Sequence, residues 1–106
     1  MKNVKRLSVF FLCYDEEEKD ITWDDVNELV AFVKEKGFIP TCDPTGLEPT
    51  VVEFDLDKEI SVDDALDLLK AIEAEGKFEA RQYLFNTQED NYYERPPYAR
   101  IYLEKK

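Results

Sequence analysis

The side chains of this chain best suited to chemistry are carboxylates, and they come in two runs. Asp15, Glu16, Glu17, Glu18 and Asp20 follow the first apolar stretch. Asp55, Asp57 and Glu59 follow a later one. Each run leads into a further aspartate pair, Asp24-Asp25 and Asp63-Asp64. Spaced along a rigid edge, such carboxylates can meet a Lys/Arg groove on a basic partner, or imitate a row of phosphates, and speed the encounter. Asp15 and Asp55 could instead ligate Mg²⁺ or Mn²⁺, which favour oxygen donors, and so serve a metal-dependent phosphodiesterase. Tyr92 and Tyr93, rigid aromatics in a long polar segment, are additional candidate contact residues.

Composition favours docking over catalysis. The 106 residues hold 25 Asp and Glu against 14 Lys and Arg, with no histidine, for a net charge of −11. Nucleic acid and anionic membranes demand neutralising cations, so neither is an expected partner; a basic protein surface is. The missing histidine removes Ser-His and Cys-His catalysis and nearly all zinc chemistry. There is no phosphate-cradling glycine loop and no nucleophile elbow, and no cofactor is called for. The longest apolar run, Val9 to Cys13, is five residues, far short of the ~20 that cross a bilayer. Lys2, Lys5 and Arg6 are not followed by a signal-type apolar region,. A cytoplasmic location is expected, with Cys13 and Cys42 as reduced core thiols.

The elements that must position these groups come from an internal duplication. Residues 21–37 and 60–76 align without a gap at an offset of 39, with Ile21/Ile60, Asp24/Asp63, Asp25/Asp64, Leu29/Leu68 and Gly37/Gly76 identical. Thr22 and Ser61 are N-cap residues and the glycines are stops. Val26, Leu29, Val30 and Val33 form an apolar stripe at helical spacing, as do Ala65, Leu68, Leu69 and Ile72,. Helices are predicted at about 23–36 and 62–75. Strands are predicted at 4–14, 38–42 (an edge, because of Pro40), 50–56, 78–85 and 98–103. Asp43-Pro44-Thr45-Gly46 is a turn,. A single domain of 106 residues is expected, with copies at about 4–42 and 47–85 and a C-terminal extension over 86–106.

The order β-α-β-β-α-β, in two copies of one unit, predicts an α+β, ferredoxin-like split βαβ sandwich. It has two helices on one face of a mostly antiparallel sheet, and the extension pairs with 78–85. We further expect strands 4–14 and 50–56 to be parallel neighbours. Their ends and both helix starts then share one rim of twelve carboxylates. The uncovered sheet face is expected to show Phe10, Leu12, Tyr14, Tyr83, Phe85 and Tyr102, a surface suited to a homodimer.

Two resemblances bear on the alternatives. Tyr14-Asp15 at the end of a first strand is similar to the small CRISPR-associated nucleases of ferredoxin-like fold, which implies metal-dependent phosphodiester chemistry at Asp15. The topology also resembles regulatory modules of the ACT type, which implies a small ligand at a dimer interface. Sheet-face aromatics are found in RNA-recognition modules as well, but the basic rim and Lys/Arg-Gly-Phe pattern of those modules are missing here.

Overall fold

Alternation decides the sheet. The computed structural model describes residues 3–12, 21–46, 48–88, 92 and 95–106. Strand β1, Asn3–Leu12, buries Leu7, Val9 and Phe11 on one face. Helix α1 spans Trp23–Glu35, strand β2 Val51–Ser61, helix α2 Val62–Ala74, strand β3 Phe78–Asn86 and strand β4 Tyr98–Lys105. Val52, Phe54 and Leu56 of β2 and Ala99, Ile101 and Leu103 of β4 are buried with the β1 residues. The two predicted helical stripes complete the same core. The molecule is thus α+β, with a mixed four-stranded sheet in the order β2-β1-β4-β3 and two helices.

The helix ends reflect their local sequence. The Thr22 hydroxyl accepts from the Asp25 amide at 3.2 Å, and the Asp25 carboxylate accepts from the Thr22 amide at 3.0 Å, a reciprocal capping box,. Ser61 accepts from the Asp64 amide at 3.1 Å. Gly37 and Gly76 stand just past the helices at φ +94° and +85°, a conformation that costs glycine little.

Strand direction departs from expectation. β1 and β2 are antiparallel, not parallel, with Leu7 opposite Phe54 and Val9 opposite Val52. The reason lies in the segment after α1. Residues 38–45 run antiparallel along β2 through bridges at Pro40–Leu56 and Thr45–Glu53. The crossover from β1 therefore makes this edge segment, rather than β2, parallel to β1, and the turn after it reverses the chain. The segment makes isolated bridges instead of the predicted 38–42 strand; around Pro40 the Ile39 carbonyl accepts from the Asp57 amide and the Thr41 amide donates to the Asp55 carbonyl, each at 2.8 Å, so the proline nitrogen faces away from β2 as an edge position requires,.

The C-terminal strand also differs from an appended one. β4 pairs antiparallel with β3, as expected, but also parallel with β1, Val9 lying opposite Ile101. It is a central strand, with Ala99, Ile101 and Leu103 at most 1% exposed.

A register shift between Ala80 and Gln82 places Arg81 in a bulge of β3. Ala80 lies opposite Leu103, while beyond the bulge Tyr83 lies opposite Ile101 and Phe85 opposite Ala99. One extra residue flips every later side chain to the other face. Tyr83 and Phe85 therefore stand on the helix side, and Phe85 packs against the core. This corrects their expected place on the open face. Cys42 is exposed, so the expectation of a core thiol fails there; Cys13 and Tyr14 lie outside the described residues.

Burial of β4 sets a test of the topology. Leu103→Ala should cost about 2–5 kcal/mol in chemical denaturation. The same change at Leu84, 48% exposed on the edge strand, should cost under about 1 kcal/mol.

Candidate functional site

Asp25 fixes the start of α1. The residue is 6% exposed. Its carboxylate meets Lys77 at 2.7 Å and Lys105 at 2.9 Å while it caps the helix. Lys77 precedes β3 and Lys105 ends β4, so two ion pairs pin the capped helix start to the edge where β1 and β4 end. Burial alone would raise the Asp25 pKa. The bonds from Lys77, the Thr22 amide and Lys105 more than reverse that and hold it well below the usual carboxylate range,. The Lys77 pKa is raised, first by its bond to Asp25 and then by its bond to Glu28.

A groove of about 510 Å³ opens beside this knot, between α1 and the end of α2. Its floor is Leu29, Phe32, Ile72 and Phe78, of which Phe32 is part-exposed and the others buried. Exposed Glu28, Glu35 and Glu75 form its rim. Lys77 also lines it, but its charge is taken up by Asp25 and Glu28. The Lys36 ammonium lies 5.2 Å from the centre of the Phe32 ring, so that ring already accepts a cation.

The layer around the groove is acidic. The two helices carry eight Asp and Glu against Lys34 and Lys70, a net −6. Seven of the eight carboxylates are exposed, Asp25 being the exception. Chemically the arrangement offers an apolar slot with carboxylates on its rim, in an acidic helix layer.

The predicted site residues are dispersed. Asp24 and Asp25 start α1 at the edge where β1 ends. Ser61, the cap of α2, lies opposite Asn3 at the start of β1, so Asp63 and Asp64 stand at the other edge. Antiparallel β1 and β2 thus divide the expected rim between the two ends of the sheet. Asp55 is not a free ligand: it accepts from Arg6 at 2.8 Å, a bond that raises the Arg6 pKa. Asp57 and Glu59 are exposed where β2 loses register with β1, four residues from Leu56 to Glu59 facing Lys5. Among the described residues no three His, Cys, Asp or Glu gather as a metal site. Asp15, Glu16, Glu17, Glu18, Asp20 and Tyr93 lie outside the described residues; Tyr92 is 87% exposed. Of the aromatic set, Phe10, Leu12 and Tyr102 do share the open sheet face.

Treating the two copies as equivalent hides the groove. They diverge around the slot: Phe32 and Glu35 correspond to Ala71 and Ala74. That asymmetry is the signal in the alignment that could have found it. No protein-family model, curated protein or solved structure matches the chain.

The depressed Asp25 pKa fixes the sign of a pH effect. Asp25→Ala should lose about 2–3 kcal/mol at neutral pH, since it strips a buried carboxylate from two lysines. The contribution is complete above the unfolded value, about pH 4, and is lost as pH falls through the lower folded value. Denaturant titrations should therefore show the wild-type advantage shrink steadily below about pH 4.

Proposed function

We propose that this chain is a non-catalytic binding protein that takes a basic, amphipathic segment of another protein into the groove between α1 and α2. The observation that carries the reading is the pairing of an apolar floor with a rim carrying Glu35 and Glu75, which make no ion pair among the described residues, inside a helix layer of net −6. A helix that lays apolar anchors into a groove is a recurrent mode of recognition. A lysine or arginine flank on that helix would answer the rim, and long-range attraction would raise the association rate. The acidic docking surface expected along the strand ends is here reassigned to the helix layer. Asp15 to Glu18 and Asp20 are retained as outer contacts of the same partner.

Two finer readings accompany this. With residues 38–45 counted as an edge strand, the first four sheet segments run in a ferredoxin-like order, and β4 is inserted between β1 and β3. The fold is read as that sandwich with one added central strand. The site of action is read as the cytoplasm. No helix among the described residues is long and apolar enough to cross a membrane, and a free, exposed Cys42 suits a reducing compartment,.

The test is a fluorescence titration with amphipathic helical peptides matched in apolar face and differing in charge. The basic peptide should bind and the acidic one should not. Binding should weaken at least tenfold between about 50 and 500 mM salt. Phe32→Ala, and separately Glu28, Glu35 and Glu75 all changed to Gln, should each cost about tenfold or more. A basic peptide that fails to bind at low salt, or binds the groove variants equally well, would remove the reading.

A further inference from the structure

The sheet face turned away from the helices is ordered in rows. Register aligns Glu53, Ser8, Arg100 and Leu84 across β2, β1, β4 and β3. Toward the end of β1 the next row is Val51, Phe10, Tyr102 and Gln82. Phe10 and Tyr102 stack with centroids 5.0 Å apart. The Arg100 guanidinium lies 5.3 Å from the ring centres of both Phe10 and Tyr98.

Arg100 stands apart from the other cations that make no ion pair among the described residues: Lys5, Lys34, Lys36, Lys58, Lys70 and Lys106 are exposed, whereas Arg100 is part-buried. The other part-buried cations among the described residues have carboxylate partners. Arg6 has Asp55, Lys77 has Asp25 and Glu28, Arg81 has Glu79 and Glu104, and Lys105 has Asp25. Arg100 makes no ion pair among the described residues, and its buried Nε has no hydrogen-bond partner there. Glu53, in the same row, makes no ion pair among them either. The two flank Ser8, which is 3% exposed, and are two strand spacings apart, about 10 Å. In this structure the two do not pair within one molecule, and both remain open to a partner.

We propose that the chain forms a face-to-face homodimer in which Arg100 of each copy pairs with Glu53 of the other. A half-turn about an axis along β1, in the plane of contact, carries β2 over β4 and β1 over itself. Glu53 then meets Arg100 twice, the self-complementary arrangement of a two-fold interface. The same operation lays Val51 over Tyr102, Phe10 over Phe10 and Leu12 over Leu12, which gives the contact an apolar centre. Arg6 meets its own counterpart at the axis, but Asp55 neutralises it in each copy. Sheets packed this way cross at about 30°, so the match is closest at the Ser8 and Phe10 rows.

Charge selects this occupant. Across its paired rows and the bulge the face carries Arg6, Arg81 and Arg100 against Glu53, Asp55, Glu79 and Glu104, a net −1, with Asp57 and Glu59 beyond them where β2 loses register, whereas the helices carry −6. Here two copies of a −11 chain can approach without facing their acidic helix layers. A basic partner would set its cations against Arg100, and an acidic one would be repelled by the whole molecule. A second copy supplies both signs in reciprocal places.

Sedimentation equilibrium of the full chain over about 1 to 200 µM tests this. The wild type should run as a dimer in the upper part of that range. R100E and E53R should each weaken the dimer about 100-fold, since one change breaks both pairs and sets like charges together. The combined E53R/R100E chain should recover to within about tenfold of wild type. Circular dichroism verifies that each variant is folded. If charge reversal unfolds the chain, Arg100→Gln should still weaken the dimer about tenfold. A monomeric wild type, a dimer indifferent to either single change, or a double variant that does not recover would each overturn the proposal. Peptide binding in the groove is a separate readout and does not depend on this result.

Discussion

One buried carboxylate holds the layers in place. Asp25 caps α1 and binds Lys77 and Lys105 at the ends of two strands. Burying a charge is costly unless the site supplies partners for it. Here three donors converge on one group, and two of them carry full positive charge. The bonds do more than neutralise Asp25: they fix where α1 enters the helix layer and therefore how it lies against α2. The groove is a consequence. Lys77, drawn between Asp25 and Glu28, closes one side of it.

The net charge of −11 says little until it is distributed. On the helix layer, acids dominate and are exposed. On the open sheet face, carboxylates sit beside arginines, and aromatic rings occupy the centre. The two surfaces therefore suit different partners. A strongly negative face attracts cations at long range and is weakened by salt. A near-neutral face with rigid aromatics depends on close fit instead. One small sheet can serve both because its two sides are chemically independent.

What was legible in the sequence is what depends on neighbours along the chain. The stripes Val26-Leu29-Val30-Val33 and Ala65-Leu68-Leu69-Ile72, the caps Thr22 and Ser61, and the stops Gly37 and Gly76 lie where the spacing puts them. The alternation Leu7-Val9-Phe11 is likewise local. What was not legible depends on pairing between distant segments. Nothing near Asp55 announces Arg6, 49 positions away. The bulge at Arg81 looks like ordinary strand sequence, yet it decides which face Tyr83 and Phe85 occupy. Its cause is visible once β4 is in place: Glu79 lies directly opposite Glu104, and Arg81 pairs with both. Like charges opposed across a sheet are unfavourable, and a cation between them relieves the conflict.

The duplication misled for a related reason. Equal sequences suggest equal surroundings, but β4 has no counterpart in the repeat. It inserts beside β1, and its last residues reach the edge where α1 begins. Lys105 thus meets Asp25, while the equivalent Asp64 is exposed at the other edge with its amide bonded to Ser61. The same aspartate is a buried anchor in one copy and a solvated helix-start charge in the other. The added strand breaks the symmetry, and the divergence of Phe32 from Ala71 and Glu35 from Ala74 lies along the anchored helix. A recognition surface built there needs a helix held at a fixed height and angle. The first copy has that restraint and the second does not, which is the physical reason to place the groove's specificity on α1.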